Sequence, residues 1–216
     1  MGKIKACIFD LDGVIVDTAK YHYLAWRRLA NCLGFDFSKE DNERLKGVSR
    51  MRSLDILLEI GDLQIDEEEK LKLAERKNEW YREYIMKMDS SEILLGAVDF
   101  IKELKDNNIK IALGSSSKNA KTILKQIDMI DYFEVIIDGT KVSNAKPHPE
   151  VFLKGANELN VASINCVVFE DAIAGIEAAK TAGMYAIGVG VKDILRNADK
   201  IIPGLYAISI NEIINI

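Results

Sequence analysis

No apolar run in this 216-residue chain approaches the ~20 residues that a helix needs to cross a bilayer. No basic block stands out, and a net charge of −5 argues against a general nucleic-acid binder. Cysteine is sparse: Cys7, Cys32 and Cys166 are scattered and odd in number. Two of them lie in apolar runs, where a thiol behaves as a small buried hydrophobe. A disulfide framework and a cysteine metal site are therefore not expected, and a reducing, cytoplasmic setting is. The stretch Met1–Ala6 lacks a long apolar segment with a small-residue cleavage site, so no secretory signal is expected. Internal repeats and low-complexity tracts are missing too. What the chain does have is an ordinary globular composition, 48% hydrophobic and 29% charged. Its length suits one sizeable core, or a core domain with a smaller satellite.

The most informative stretch runs from Cys7 to Thr18. Ala6–Phe9 is apolar and belongs to a buried parallel strand, Ile4–Phe9. It ends in Asp10-Leu11-Asp12-Gly13. With a side-chain period of two, Asp10 and Asp12 point the same way beyond the strand's C-terminal edge. In an open α/β sheet ligands bind along that edge. Gly13 lets the chain turn away without a Cβ in its path. Two neighbouring carboxylates repel each other, and a bound divalent cation is one reason to hold them together. A plain acidic turn is the other reading of the same four residues.

From Ala19 the pattern is helical. Ala19, Tyr23, Trp26, Ala30 and Leu33 recur at three- and four-residue steps before Gly34. Ser38 with Asp41 predicts a second helix running to Gly47, and Leu54, Leu57 and Leu58 mark a third that ends at Gly61. The longest covers Asp66 to Met88, with acidic residues in its first turn where they favour the helix dipole. About 70 residues thus read as helix, with no strand among them.

Alternation of strand and helix returns from Ile93. Predicted strands are Ile109–Leu113, Glu134–Ile137, Cys166–Phe169 and Tyr185–Val189, each preceded by a helix, and a helical tail ends the chain. Such alternation builds βαβ units and a parallel sheet covered on both faces. The expected architecture is α/β: a doubly wound parallel-sheet core, residues 1–16 and 93–216, with an all-helical cap inserted over 17–92.

Three more strand ends carry polar residues. Gly114-Ser115-Ser116-Ser117-Lys118-Asn119 precedes a helix, where backbone N–H groups, hydroxyls and a lysine could cradle a phosphate, or the serines could simply cap the helix. Glu170-Asp171 is a second acidic pair, or the acidic start of a helix. Lys146 sits in a loop stiffened by Pro147 and Pro149. Taken together, two carboxylate pairs, a Ser-Lys loop and a lysine at one sheet edge are convergent polar groups of the kind that make a site.

As an ordered set, Asp10-Leu11-Asp12-Gly13-Val14, Ser115, Lys146-Pro147 and Glu170-Asp171 resemble the haloacid dehalogenase superfamily of phosphotransferases. The resemblance implies phosphoryl transfer through an aspartyl phosphate. In the cap, Tyr21–Trp26, Leu45–Arg50 and Glu75–Asn78, together with Ser115–Asn119 of the core, are similar to the branch that isomerises hexose phosphates. Departures from the family pattern are Ala172, where many relatives have serine, and Gly114, where alanine is usual.

The resemblance implies Asp10 as nucleophile and Mg²⁺ ligand, and Asp12 as general acid/base that also gives its backbone carbonyl to the metal. It implies Glu170 and Asp171 as further metal ligands, and Ser115 and Lys146 as holders of the transferring phosphoryl group. Arg50, Ser117, Lys118 and Asn119, with Ser116 and Ser49 beside them, would hold the substrate's other phosphate. Thr18, His22, Trp26, Gly47, Val48, Ser53 and Lys77 would belong to the hinge and the sugar-facing cap.

The implied reaction interconverts β-D-glucose 1-phosphate and D-glucose 6-phosphate through β-glucose 1,6-bisphosphate. A cap that closes only over the right substrate would exclude water from the phosphoenzyme. The implied partners are hexose phosphates, with no nucleic acid and no membrane, for a monomeric protein. The nearest alternative is a Mg-dependent phosphatase of the same superfamily acting on small sugar phosphates or other phosphate monoesters. A phospho-receiver domain has similar strand-end residues but needs no helical insertion after its first strand.

Overall fold

The computed structural model describes residues 3–45 and 48–216. The chain divides into two compact units, Met1–Asp17 with Met88–Ile216, and Thr18–Lys87.

The first unit is built on a six-stranded parallel sheet. Its strands are β1 (Ala6–Phe9), β2 (Lys110–Gly114), β3 (Val135–Ile137), β4 (Cys166–Glu170), β5 (Tyr185–Val189) and β6 (Lys200–Ile202), in the order β3-β2-β1-β4-β5-β6. Chain order reverses between β1 and β4, and that switch point opens a crevice at the strands' C-terminal ends. Register brings the ends level, pairing Phe9 with Leu113 on one side and with Phe169 on the other.

Both faces are covered, which is why β1, and β4 as far as Phe169, are continuously apolar rather than alternating. Ala6, Ile8, Ala112 and Val168 point to the side where α7 (Glu150–Glu158) and α8 (Ile173–Thr181) pack, against Phe152 and Ile176. On the other side Phe9 stacks on Phe169 at 4.7 Å. Phe100 of α5 (Ala97–Asp106) meets both edge-on. Such aromatic pairs add ~0.5–1.5 kcal/mol beyond area burial. The helix α6 (Ala120–Gln126) follows β2, and α9 (Ile210–Ile214) packs on α5 near the chain's end.

In the second unit α1 (Ala19–Cys32), α2 (Lys39–Glu43), α3 (Arg50–Ile60) and α4 (Glu67–Ile85) enclose a separate core. Trp26, Leu29, Phe37, Leu54, Leu57 and Leu73 fill it. The long helix starts where its acidic turn predicts: Asp66 accepts the Glu69 N–H at 2.9 Å, and Glu67–Glu69 sit at the positive end of the dipole.

Two helices stop short of their predicted ends and one strand is unpredicted; the long helix closes at Ile85 rather than Met88. The helix opened by Ser38 stops at Glu43, although its capping box with Asp41 is formed. Predicted helix end Gly47 lies outside the described residues. Ahead of the helical tail is a strand the sequence does not signal, β6. Three residues are too few for alternation to appear, and Ile201 pairs with Gly188 by backbone alone.

Candidate active site

Four segments of the sheet unit converge at the ends of β1, β2 and β4. Directly after β1, Asp10 is anchored by its N–H donating to the Phe169 carbonyl at 2.9 Å. The chain then turns back on itself, Ile15 and Val16 both donating to the Leu11 carbonyl. Gly13 makes that turn at φ +74°, and a Cβ there would lie 2.1 Å from Oδ2 of Asp171. A glycine is required twice over, for the backbone angle and for the space Asp171 occupies.

Glu170, the last residue of β4, is buried, with Oε1 accepting from the Ala172 N–H at 3.2 Å. Its carboxylate lies over α8, where a Cβ on Gly175 would come within 2.0 Å of Cδ. Asp10, Glu170 and Asp171 each bring one carboxylate oxygen within 4.8 Å of the others. Three convergent carboxylates in a cradle kept open by two glycines form an all-oxygen donor set, which suits a hard divalent cation. Asp12 contributes no carboxylate to this group. Its backbone bridges to Val16.

Lys146 completes the cluster. Its ammonium donates to Asp10 Oδ1 at 2.6 Å and to Glu170 Oε2 at 2.7 Å, and lies 4.8 Å from the Phe152 ring. The loop before it is tied down by Glu150, which accepts from the backbone N–H groups of Ser143 and Asn144 and pairs with Lys154. Those contacts, led by Lys154, hold the Glu150 carboxyl down at about 2. The Lys146–Pro147 peptide is cis.

The electrostatics follow from burial of unlike charges. Desolvation pulls the Lys146 ammonium down, but Asp10 and Glu170 outweigh it and hold it above its ordinary value. Desolvation pushes the Glu170 carboxyl up, Lys146 opposes that, and the charges of Asp10 and Asp171 reinforce it.

On β1's other neighbour, Ser115 is buried at the end of β2 with its N–H bonded to Ile137. Its hydroxyl accepts from the Ser117 N–H at 3.1 Å, and the Ser117 hydroxyl accepts from the Asn119 N–H at 3.2 Å. Gly139 donates to the Ser117 carbonyl from below, where a Cβ would stand 2.3 Å from the Ser116 carbonyl oxygen. Ser116 and Lys118 are exposed.

The helical unit holds a second polar cluster. Lys77 of α4 is buried, its Nζ 2.9 Å from Nδ1 of His22 and 4.4 Å from the Trp26 ring centroid, both on α1. Burial, reinforced by the cations of Lys77 and Arg50, holds the His22 imidazole well below its usual range, so the ring is neutral at pH 7. Arg50 starts α3, capped by Ser49, and bonds Asn78 at 2.8 Å and Glu75 at 3.5 Å. Thr18 and Ser53 are buried, and Val48 is exposed. Gly47 is outside the described residues.

Sequence reasoning names every charged member of both clusters but not Gly175, Gly139 or Tyr81. A glycine inside a strand-following helix, where a side chain would cost less than the glycine does, is the signal that could have drawn attention to Gly175.

The model of haloacid dehalogenase-like hydrolases matches residues 4–183. The chain belongs to that family. Among relatives, a β-phosphoglucomutase of Bacillus subtilis is 44% identical over 201 residues, 92% of this chain and 89% of that one. A crystal structure of β-phosphoglucomutase from Clostridium difficile superposes with a TM-score of 0.91 at 46% identity, covering 98% of this chain and 97% of the other. A phosphorylated carbohydrates phosphatase of Thermotoga maritima is 33% identical over 85% of this chain and 84% of its own.

Proposed function

We infer that this enzyme interconverts β-D-glucose 1-phosphate and D-glucose 6-phosphate through β-glucose 1,6-bisphosphate. The observation that carries the reading is the Asp10–Glu170–Asp171 group with Lys146 laid across it, in a chain whose likeness to mutases spans both units.

Asp10 is the proposed nucleophile. Its free carboxylate oxygen attacks the phosphorus of the bisphosphate, the sugar oxygen leaves with the bonding pair, and an aspartyl phosphate remains. Asp12 protonates that leaving oxygen. In the return direction it takes the proton of the attacking hydroxyl, so one carboxyl alternates as acid and base. Lys146 and the Ser115 hydroxyl hold the phosphoryl oxygens, where a positive charge and a donor oppose the charge that spreads in the transition state. Ser115 is suited to donate because the Ser117 N–H takes up one lone pair of its oxygen and not the O–H.

The carboxylates of Asp10, Glu170 and Asp171 and the Asp12 carbonyl are the proposed Mg²⁺ ligands. The cation, when bound, supplies charge to the phosphoryl oxygens. Ser116, Ser117, Lys118 and Asn119, and separately Ser49 and Arg50, are the proposed ligands of the sugar's other phosphate. Thr18, His22, Trp26, Val48, Ser53 and Lys77 are proposed to face the sugar. Proposed partners are hexose phosphates alone, for a cytoplasmic monomer. Among the described residues no helix is long and apolar enough to cross a membrane.

The test is product analysis with Mg²⁺, β-glucose 1-phosphate and a trace of the bisphosphate. Glucose 6-phosphate is expected as the main product. Inorganic phosphate and glucose without it would mean that water, not a sugar hydroxyl, discharges Asp10, and would establish the phosphatase alternative instead.

A further inference from the structure

The helical unit's buried cluster contains an aromatic residue with no part in the reading above. Tyr81, one turn beyond Lys77 on α4, is 1% exposed. Its ring lies 4.0 Å from the His22 ring at 22°, a stacked arrangement, and 5.0 Å from the Lys77 ammonium. With Trp26 at 4.4 Å, it gives Lys77 two π faces, which favour a lysine that stays charged.

That geometry settles which nitrogen of His22 carries its proton. A lysine ammonium has three donors and no acceptor, whereas a neutral imidazole has one of each. At 2.9 Å from Lys77 Nζ, Nδ1 of His22 must therefore accept. The proton of the ring then sits on Nε2. A flip of the imidazole would put Cδ2 in the place of Nδ1 and forfeit the bond to Lys77, and the face-to-face contact with Tyr81 restricts that rotation.

We propose that Tyr81 is a positioning residue that, through this stacking, keeps His22 in the Nε2–H form against Lys77. The pair is thereby a donor-only element that recognises acceptor oxygens of a phosphorylated sugar and cannot act as a base. The substrate class rests on the function inferred above; the proton assignment does not.

The test is a two-bond ¹H–¹⁵N correlation spectrum of His22 in the ligand-free, full-length enzyme at pH 7, with steady-state kinetics alongside. Wild type and Tyr81→Phe are expected to show the proton on Nε2 and equal KM. In Tyr81→Leu, signals of both neutral forms are expected, with KM for β-glucose 1-phosphate raised roughly tenfold, the size of one lost charge-assisted hydrogen bond, and kcat moved less. Should Tyr81→Leu not fold, Tyr81→Met fills a similar volume without an aromatic face and is read in the same way. A wild-type ring protonated on Nδ1, or on both nitrogens, would overturn the proposal. So would a leucine or methionine variant with wild-type spectrum and KM. Failure to form glucose 6-phosphate would count against the functional reading and leave the proton assignment standing.

Discussion

Lys146 and Asp10 are 136 residues apart in the chain, yet the lysine's ammonium lies 2.6 Å from the carboxylate that is the proposed nucleophile. The same ammonium holds Glu170 at 2.7 Å, so one cation neutralises part of a buried charge that three carboxylates would otherwise share. Its contact with Asp10 occupies Oδ1. The loop that carries Lys146 is itself secured by Glu150.

Removing that cation should cost stability as well as activity. Lys146→Ala leaves Asp10 and Glu170, whose side chains are 8% and 2% exposed, without their partner. Breaking a buried pair from one side costs about 3–5 kcal/mol. Urea unfolding in EDTA is expected to show a loss of that size, and Mg²⁺ to recover part of it. A loss below about 1 kcal/mol would show that the carboxylates are already screened by water.

Asp10→Asn keeps the volume and removes the proposed nucleophile. Turnover is expected to fall about 10⁴-fold or more, as for other covalent nucleophiles. Equilibrium binding of glucose 1,6-bisphosphate should persist within about tenfold. Retention of mutase activity would exclude an aspartyl phosphate at this position.

The two cradle glycines report on the metal. Gly13→Ala and Gly175→Ala would each place a methyl inside the carboxylate group, 2.1 Å from Asp171 Oδ2 and 2.0 Å from Glu170 Cδ. Calorimetric Mg²⁺ titration is expected to show affinity lowered about 10–100-fold, as when supporting contacts of a metal ligand are lost. EDTA should abolish turnover and Mg²⁺ restore it. Wild-type Mg²⁺ affinity in both variants would place the ion elsewhere.

His22 sets a pH dependence with a definite sign. Its folded-state pKa lies well below 6.5 because burial, Lys77 and Arg50 disfavour the cation. As pH falls through 6.5 the unfolded chain takes up a proton that the folded chain refuses, so acid favours unfolding. This contribution is absent at higher pH and grows by up to about 1.4 kcal/mol per pH unit below 6.5 until the folded ring titrates. Unfolding free energies measured from pH 7.5 to 5 should fall more steeply for wild type than for His22→Gln. Parallel curves would show that His22 is protonated in the folded protein.

Where a signal is local, it can be read directly. Ala6–Phe9 with Asp10-Leu11-Asp12-Gly13 announces a buried strand and its acidic turn, since apolar continuity and a turn glycine are properties of consecutive residues. Asp66 with Glu67–Glu69 announces the start of α4 for the same reason, and the cap forms as written. The three residues of β6 carry no such pattern, because three positions are too few to show a period of two and the central one, Ile201, faces only the backbone of Gly188.

Spacing cannot tell that Lys146 lies between Asp10 and Glu170, or that Gly175 makes room for one of them. It cannot tell that Tyr81 fixes the tautomer of His22 either. By itself the chain determined the strand–helix alternation, the helical insertion and the list of charged groups, all of which follow from near-neighbour periodicity. Only the tertiary structure decided which of those groups meet, at what distance and in which protonation state. Those depend on sheet register and on the space left where a Cβ is missing, and both arise where separate elements meet rather than within one of them.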